Sequence, residues 1–118
     1  VARFVELTLF KEDGKWRVEA LPMPSSIPTS MLLSDLNRDS HLDLIIGNDF
    51  GPPDYFYFGN GDGTFTPLDR SSGVFPASGY DVMSVSTSDL DNDLRPDILM
   101  AEIAYYDDNH VTFGSRAF

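Results

Sequence analysis

The stretch Asp35-Leu36-Asn37-Arg38-Asp39-Ser40-His41-Leu42-Asp43 recurs 54 residues later as Asp89-Leu90-Asp91-Asn92-Asp93-Leu94-Arg95-Pro96-Asp97. Each copy places oxygen-bearing side chains at positions 1, 3, 5 and 9 of a short segment. Two like charges ~4 Å apart repel by about 4 kcal/mol at an effective dielectric of ~20, so a loop this acidic needs a cation among its carboxylates. Calcium suits it. It is a hard ion that takes six to eight oxygens in a tolerant geometry, and alternating acids with a backbone carbonyl at position 7 supply them.

The first five positions also fit an EF-hand, which requires a bidentate acid at position 12 and a departing helix. Position 12 is Ile46 in one copy and Met100 in the other. Both segments run on into compact apolar stretches, Leu42 to Gly47 and Pro96 to Ala101, whose length and branched residues predict buried strands. The preceding residues, Ser30 to Ser34 and Asp81 to Ser88, also read as extended chain. Each acidic segment is therefore expected to join two strands.

A strand, an Asp-x-(Asp/Asn)-x-Asp-x-x-x-Asp loop, a second strand and then the hairpin Asn60-Gly61-Asp62-Gly63-Thr64-Phe65 together resemble the FG-GAP or VCBS repeat. This is the unit of calcium-binding β-propellers such as the integrin α-chain head and the ASPIC/UnbV-type secreted proteins. The resemblance covers nearly the whole chain. It implies one ion held by Asp35, Asn37, Asp39 and Asp43 with the His41 carbonyl, and a second held by Asp89, Asp91, Asp93 and Asp97 with the Arg95 carbonyl. Ser40 and Leu94 stand at position 6, where the family usually has glycine. A non-glycine residue at positive φ costs on the order of 1 kcal/mol, so either the turn is altered or ion binding offsets the strain. Gly51-Pro52-Pro53 is only a loose echo of the Gly-Ala-Pro in the family's name.

The expected fold is all-β, made of about two propeller blades of antiparallel four-stranded sheet. Residues 1–20 read as the outer hairpin of a preceding blade: Phe4 to Phe10 alternates apolar and polar side chains, Asp13-Gly14 turns, and Trp16 to Ala20 returns. Prolines 22, 24 and 28 mark a crossing. Residues 29–70 form a complete blade carrying the loop 35–43. In its Tyr55-Phe56-Tyr57-Phe58 run the tyrosines face one side and the phenylalanines the other, and packing between neighbouring blades is expected to bury them. Ser71 to Tyr80 is the next crossing. Residues 81–118 make a second, incomplete blade with the loop 89–97, a turn at Tyr105 to Asn109, and a third strand at Val111 to Gly114.

With 118 residues the chain is too short for a closed ring, which takes at least about four blades. Blades bury their faces against one another. The chain is thus expected either to belong to a longer propeller, the preferred reading, or to complete a ring with copies of itself.

Net charge is −11, and seven of the acids lie in the two loops, so two calcium ions would bring it to about −7. The ion-free chain is expected to be expanded or partly folded, since concentrated like charge opposes compaction. An acidic chain is a poor ligand for nucleic acid or an anionic membrane. The absence of cysteine excludes disulfides and thiolate metal sites. No apolar run is long enough to insert in a membrane and no signal peptide is recognisable. Extracellular, cell-surface or periplasmic placement is expected because loops of this kind suit extracellular calcium.

An enzyme is not expected. The acids sit at calcium-ligand spacing, where an ion would occupy the lone pairs that proton transfer requires. His41 in a loop and His110 in a polar turn read as exposed polar residues. The serines lack a Gly-x-Ser-x-Gly setting, and Gly59 to Gly63 has no following helix to make a phosphate cradle. The expected function is a calcium-stabilised module for structure, adhesion, or binding of a protein or glycan. The alternatives are a non-catalytic part of a carbohydrate-active propeller, lyase or hydrolase, and an ion-dependent ligand-binding surface like that of the integrin head.

Overall fold

The computed structural model describes residues 7–21, 26–73, 81–103, 106–107, 110–111 and 116–117. Two antiparallel strands, β1 (Leu7–Glu12) and β2 (Lys15–Ala20), open the described chain. Asp13 and Gly14 join them at φ values of 49° and 77°. Two consecutive positive φ values make the type I′ turn, whose twist matches that of paired strands. Phe4 to Glu6, expected to begin this hairpin, lie outside the described residues, as do 22–25 of the expected crossing.

A four-stranded antiparallel sheet follows in sequential order: β3 (Pro28–Ser34), β4 (Asp43–Asn48), β5 (Tyr55–Gly59) and β6 (Phe65–Pro67). Every residue of β4 is buried, as befits a strand covered on both faces. Leu33, Leu44 and Tyr57 stand opposite one another across the ladder, and so do Met31, Ile46 and Tyr55. They share one face, where Leu44, Ile46 and Tyr57 cluster with Leu21. Leu32, Ile45 and Phe56 occupy the other face.

That second face packs on the next sheet, β7 (Val82–Ser88) and β8 (Asp97–Glu102), in a core of Ile45, Phe56, Val82, Val85, Ile98 and Met100. Val82 and Val85 are three residues apart and both point inward because a register shift falls between Val82 and Ser84. An equivalent shift lies between Pro28 and Ser30, 54 residues earlier, so the repeat extends to its irregularities. A bulge inserts one unpaired residue and reverses the facing of the side chains beyond it. The expected role of the aromatic run follows: Phe56 buries against the neighbouring sheet, and Tyr57 on the opposite face.

Side-chain bonds reinforce the contact between β3 and β7. The Thr29 hydroxyl donates to the Val82 carbonyl, and the Val85 amide donates to Ser30 Oγ at 3.0 Å. Close approach also needs Gly47, since a β-carbon there would lie 2.6 Å from Val82 Cγ1. At the far rim, buried Asn48 accepts from Ser26 Oγ (2.6 Å) and the Ile27 amide (2.9 Å) and donates to the Pro53 carbonyl (2.7 Å). A short 3₁₀ turn, Arg70–Ser72, follows β6, and 74–80 of the expected second crossing lie outside the described residues.

The second sheet departs from the expected pattern in its third strand. Val111 to Gly114 was to pair with the strand after the second loop; instead His110–Val111 (β10) pairs with Tyr106–Asp107 (β9) in a separate small hairpin. Arg116–Ala117 (β11) takes the place beside β8, with Arg116 opposite Met100 and Ala117 opposite Leu99. Spacing from the first blade fails here because the extra hairpin displaces the strand toward the C-terminal side. His110, expected in a polar turn, lies in β10. Tyr105, Asp108, Asn109 and Thr112 to Gly114 lie outside the described residues.

Candidate metal centres

Both acidic segments are corners between adjacent strands, β3 to β4 and β7 to β8, and five hydrogen bonds recur in them position by position. The position-5 amide donates to both the position-1 carboxylate and the position-3 side chain: Asp39 N to Asp35 Oδ1 (3.1 Å) and Asn37 Oδ1 (3.0 Å), Asp93 N to Asp89 Oδ1 (3.1 Å) and Asp91 Oδ1 (3.0 Å). The position-6 amide returns to position 1, Ser40 N to Asp35 Oδ2 and Leu94 N to Asp89 Oδ2, both at 2.9 Å. The position-7 amide meets position 5, His41 N to Asp39 Oδ1 and Arg95 N to Asp93 Oδ1, both at 2.8 Å. Short side chains of Asp and Asn bond their own backbone in this way at turns, which curls both loops with their acids on the inside.

Positions 4 and 6 are left-handed in both corners: Arg38 and Ser40 at φ 66° and 71°, Asn92 and Leu94 at 63° and 66°. The turn is therefore unaltered by the loss of glycine at position 6, and the strain is carried by Ser40 and Leu94. Ser40→Gly and Leu94→Gly should each stabilise the protein by about 0.5–1 kcal/mol, relief of left-handed strain outweighing the added freedom of the unfolded chain. Urea unfolding checks this; lower midpoints in both variants would refute it.

Asp43 closes the first corner from a buried position, 1% exposed. Its Oδ2 accepts from the amides of Leu36 (2.8 Å) and Asn37 (3.4 Å), and its Oδ1 from the amide of Gly59 (3.0 Å). Asp97 repeats the first of these bonds, with Leu90 N at 2.7 Å. In the second corner, carboxylate oxygens of Asp89, Asp91 and Asp97 lie within 4.8 Å of one another. Among the described residues that is the one such gathering, and Asp93 is not part of it. In the first corner Asp35, Asn37, Asp39 and Asp43 share the loop's own hydrogen bonds, with an amide in place of one acid, but the structure does not gather three carboxylates.

Three features of the corners escaped the sequence reading. The side chains of His41 and Arg95, named there only for their carbonyls, turn back to the position-5 acids, with Nδ1 of His41 3.6 Å from Asp39 and Nε of Arg95 3.5 Å from Asp93. A basic residue at position 7 beside an acid at position 5 in both copies was the available signal. The Arg38 guanidinium reaches the Leu94 carbonyl of the other corner, for which no local signal exists. The glycine hairpin, finally, abuts the first corner, since a β-carbon on Gly61 would lie 2.5 Å from the His41 ring.

Asp62 in that hairpin serves the turn: its Oδ1 accepts from Thr64 Oγ1 (2.6 Å) and Thr64 N (2.9 Å). Those two bonds hold its carboxyl below the ordinary value of 3.8. The Ser71 amide and hydroxyl do the same for Asp69, the cap of the 3₁₀ turn. The Asn37 side chain and the His41 amide likewise lower Asp39. A carboxyl with a depressed folded-state pKa stabilises the fold above its unfolded value and loses that contribution as pH falls through the folded one. Asp62 and Asp69 should therefore support stability at all pH values above about 3.8 and cease to do so in stronger acid. Carboxyl carbon NMR should find both midpoints below those of peptide models; midpoints at or above them would contradict the turn bonds.

Sequential antiparallel sheets packed face to face, each with an acidic corner at the same rim, define β-propeller blades. A family model for FG-GAP-like repeats matches residues 35–100, and the chain belongs to that family. A search of curated proteins and of solved structures finds no match.

Proposed function

We propose that the chain is a calcium-stabilised extracellular β-propeller repeat module, serving structure and the binding of a protein or glycan partner. The observation that carries this reading is the duplicated corner, in which the same backbone bonds curl inward the same oxygen-bearing positions, with three carboxylates of the second within mutual reach. The donor set fits a hard divalent cation: the acids accept one or two backbone bonds per oxygen and keep lone pairs free. Asp35, Asn37, Asp39 and Asp43 would hold one ion with the His41 carbonyl, and Asp89, Asp91, Asp93 and Asp97 a second with the Arg95 carbonyl. Calcium supplies charge neutralisation and oxygen cross-links between the strands entering and leaving each corner.

The rest of the module holds those corners in place, since β3 and β7 pack side by side and each ends at an acidic loop. The Asn37 side chain and the His41 amide hold Asp39 below its usual range, which suits an ionised ligand, and the proposed role is non-enzymatic. No helix among the described residues is long and apolar enough to cross a membrane, and extracellular or periplasmic placement is part of the proposal. Trp16 and Val18 in β2, Met31 and Leu33 in β3, Met83 in β7 and Leu99 in β8 are exposed. Further blades, from a longer chain or from copies of this one, are proposed to cover those faces.

Ion binding to the folded state alone adds RT ln(1 + [Ca²⁺]/Kd), roughly 2.7 kcal/mol per site at a hundredfold excess. For a chain of this size, chelation is expected to lower the melting temperature by on the order of 10 °C per occupied site. Identical melts in calcium and in chelator would overturn the proposed role.

A further inference from the structure

The junction between the two packed sheets depends on a close approach that a missing side chain allows. Gly47 of β4 faces Val82 and Val85 of β7, and a β-carbon on it would lie 2.6 Å from Val82 Cγ1 and 3.2 Å from Val85 Cγ2. Beside it, Ser30 Oγ accepts from the Val85 amide at 3.0 Å. Leu32 and Ile45 fill the rest of that face and pack into the shared core.

The second sheet repeats this surface on its outer side. Ser84 stands opposite Ala101 and Ser86 opposite Leu99, as Ser30 stands opposite Gly47 and Leu32 opposite Ile45. The two registers agree at a separation of 54 residues, register shift included. The hydroxyl acceptor is kept as Ser84, and exposed Leu99 takes the place of Ile45. The glycine is not kept, because Ala101 stands there instead. A sheet arriving on this face as β7 arrives on β4 would bring its counterpart of Val82 onto the Ala101 methyl. At the spacing of the existing junction that contact is far inside van der Waals distance, and it would force the sheets apart.

A second copy of the chain offers no relief. The face it would present carries Pro28 at the place of Val82 and Met31 at the place of Val85. A proline ring and a longer side chain leave no gap for the methyl.

We propose that the outer face of the second sheet receives a blade of different sequence, one with glycine or alanine where Val82 stands and a backbone amide placed to donate to Ser84 Oγ. The small residue that lets two sheets meet lies on the incoming side of this junction. The inference rests on the reading that further blades cover the open faces, and it selects between their two sources: the blade on this face is not a copy of the chain.

Two sets of full-chain variants test it. Urea unfolding examines the size rule within the existing junction. Gly47→Ala should raise the unfolding constant about ten- to hundredfold in the parent and less than about fivefold in a Val82→Ala background. Equal effects in both backgrounds would overturn the rule.

Sedimentation velocity examines the partner. The parent should show no association through this face. Ala101→Gly and Pro28→Gly each remove one side of the conflict and should self-associate head to tail at least about tenfold more tightly than the parent. Adding Leu99→Asp to Ala101→Gly should abolish that gain. A parent that assembles and is dispersed by Leu99→Asp would make a copy the occupant, and variants that associate no more tightly than the parent would show that the methyl excludes nothing; either result overturns the proposal. None of these comparisons needs an ion, so identical melts in calcium and in chelator would defeat the calcium reading and leave the size rule to be decided by the variants.

Discussion

Replacing Asp43 with alanine is expected to cost about 3–5 kcal/mol even in chelator, because the carboxylate satisfies three backbone amides from inside the protein. Leu36 N, Asn37 N and Gly59 N all donate to it, and a buried donor left without an acceptor costs ~1–3 kcal/mol. That is a large share of the ~5–15 kcal/mol that holds a domain of this kind folded. The bond to Gly59 reaches across from the corner to the end of β5, so the substitution loosens a strand as well as a loop. Asp97, half-buried and accepting from Leu90, should give up only about 1–2 kcal/mol on the same change. Guanidinium unfolding of both variants, with and without calcium, separates the two contributions of Asp43. The loss in chelator measures its hydrogen bonds, and any additional loss in calcium measures its part in holding an ion. An Asp43→Ala protein with the parent's midpoint in chelator would show that the carboxylate is not the bracket we describe.

The second large effect is expected at Gly59. A β-carbon there would overlap the carbonyl oxygen of Leu42, a backbone atom with no side-chain freedom to retreat. Relief would require parting β4 from β5 at the point where Gly59 N meets Asp43. Gly59→Ala should therefore destabilise by at least about 3 kcal/mol, beyond the usual range for overpacking, or yield no cooperative unfolding transition. Gly47→Ala meets a side chain, Val82 Cγ1, that can yield, and should be milder at about 1–3 kcal/mol. A Gly59→Ala chain as stable as the parent would mean that β5 does not approach the corner so closely.

These effects share a cause. The Asn-Gly-Asp-Gly hairpin and the acidic corner are far apart in sequence, yet Gly59 bonds Asp43 and Gly61 leaves room for the His41 ring. The end of β5 donates an amide to the deepest acid of the first corner, and the hairpin that follows sets Gly61 against the His41 ring. The pairing of the two motifs in one repeat is thus a packing requirement of the first blade.

Much of the architecture was legible in the residues because it is local. Alternation predicted β1 and β2, and Asp13-Gly14 predicted a turn whose two positive φ values are those of type I′. Oxygen side chains at positions 1, 3, 5 and 9, with apolar runs on either side, identified both corners and the strands they join. The all-β class followed, as did the two faces of the Tyr55 to Phe58 run. Each of these signals is written within about ten residues, over which backbone sterics and side-chain alternation operate.

Other features were decided by distance in the fold. Asp43 falls within the apolar run read as a buried strand and Asp39 does not, but nothing near Asp43 announces the Gly59 amide that β5 brings to it. Nothing near Arg38 announces Leu94, 56 residues away; the packing of β3 on β7 brings them together. The third strand of the second sheet was misplaced at Val111 because a repeat period cannot register an intervening hairpin, and pairing with β8 is satisfied by Arg116–Ala117 instead. Sequence by itself determined the class of fold and the chemistry of its corners, since both depend on near neighbours along the chain. Tertiary structure alone decided which amide β5 brings to Asp43 and which strand completes a sheet, because those outcomes belong to surfaces that exist only after the strands have packed.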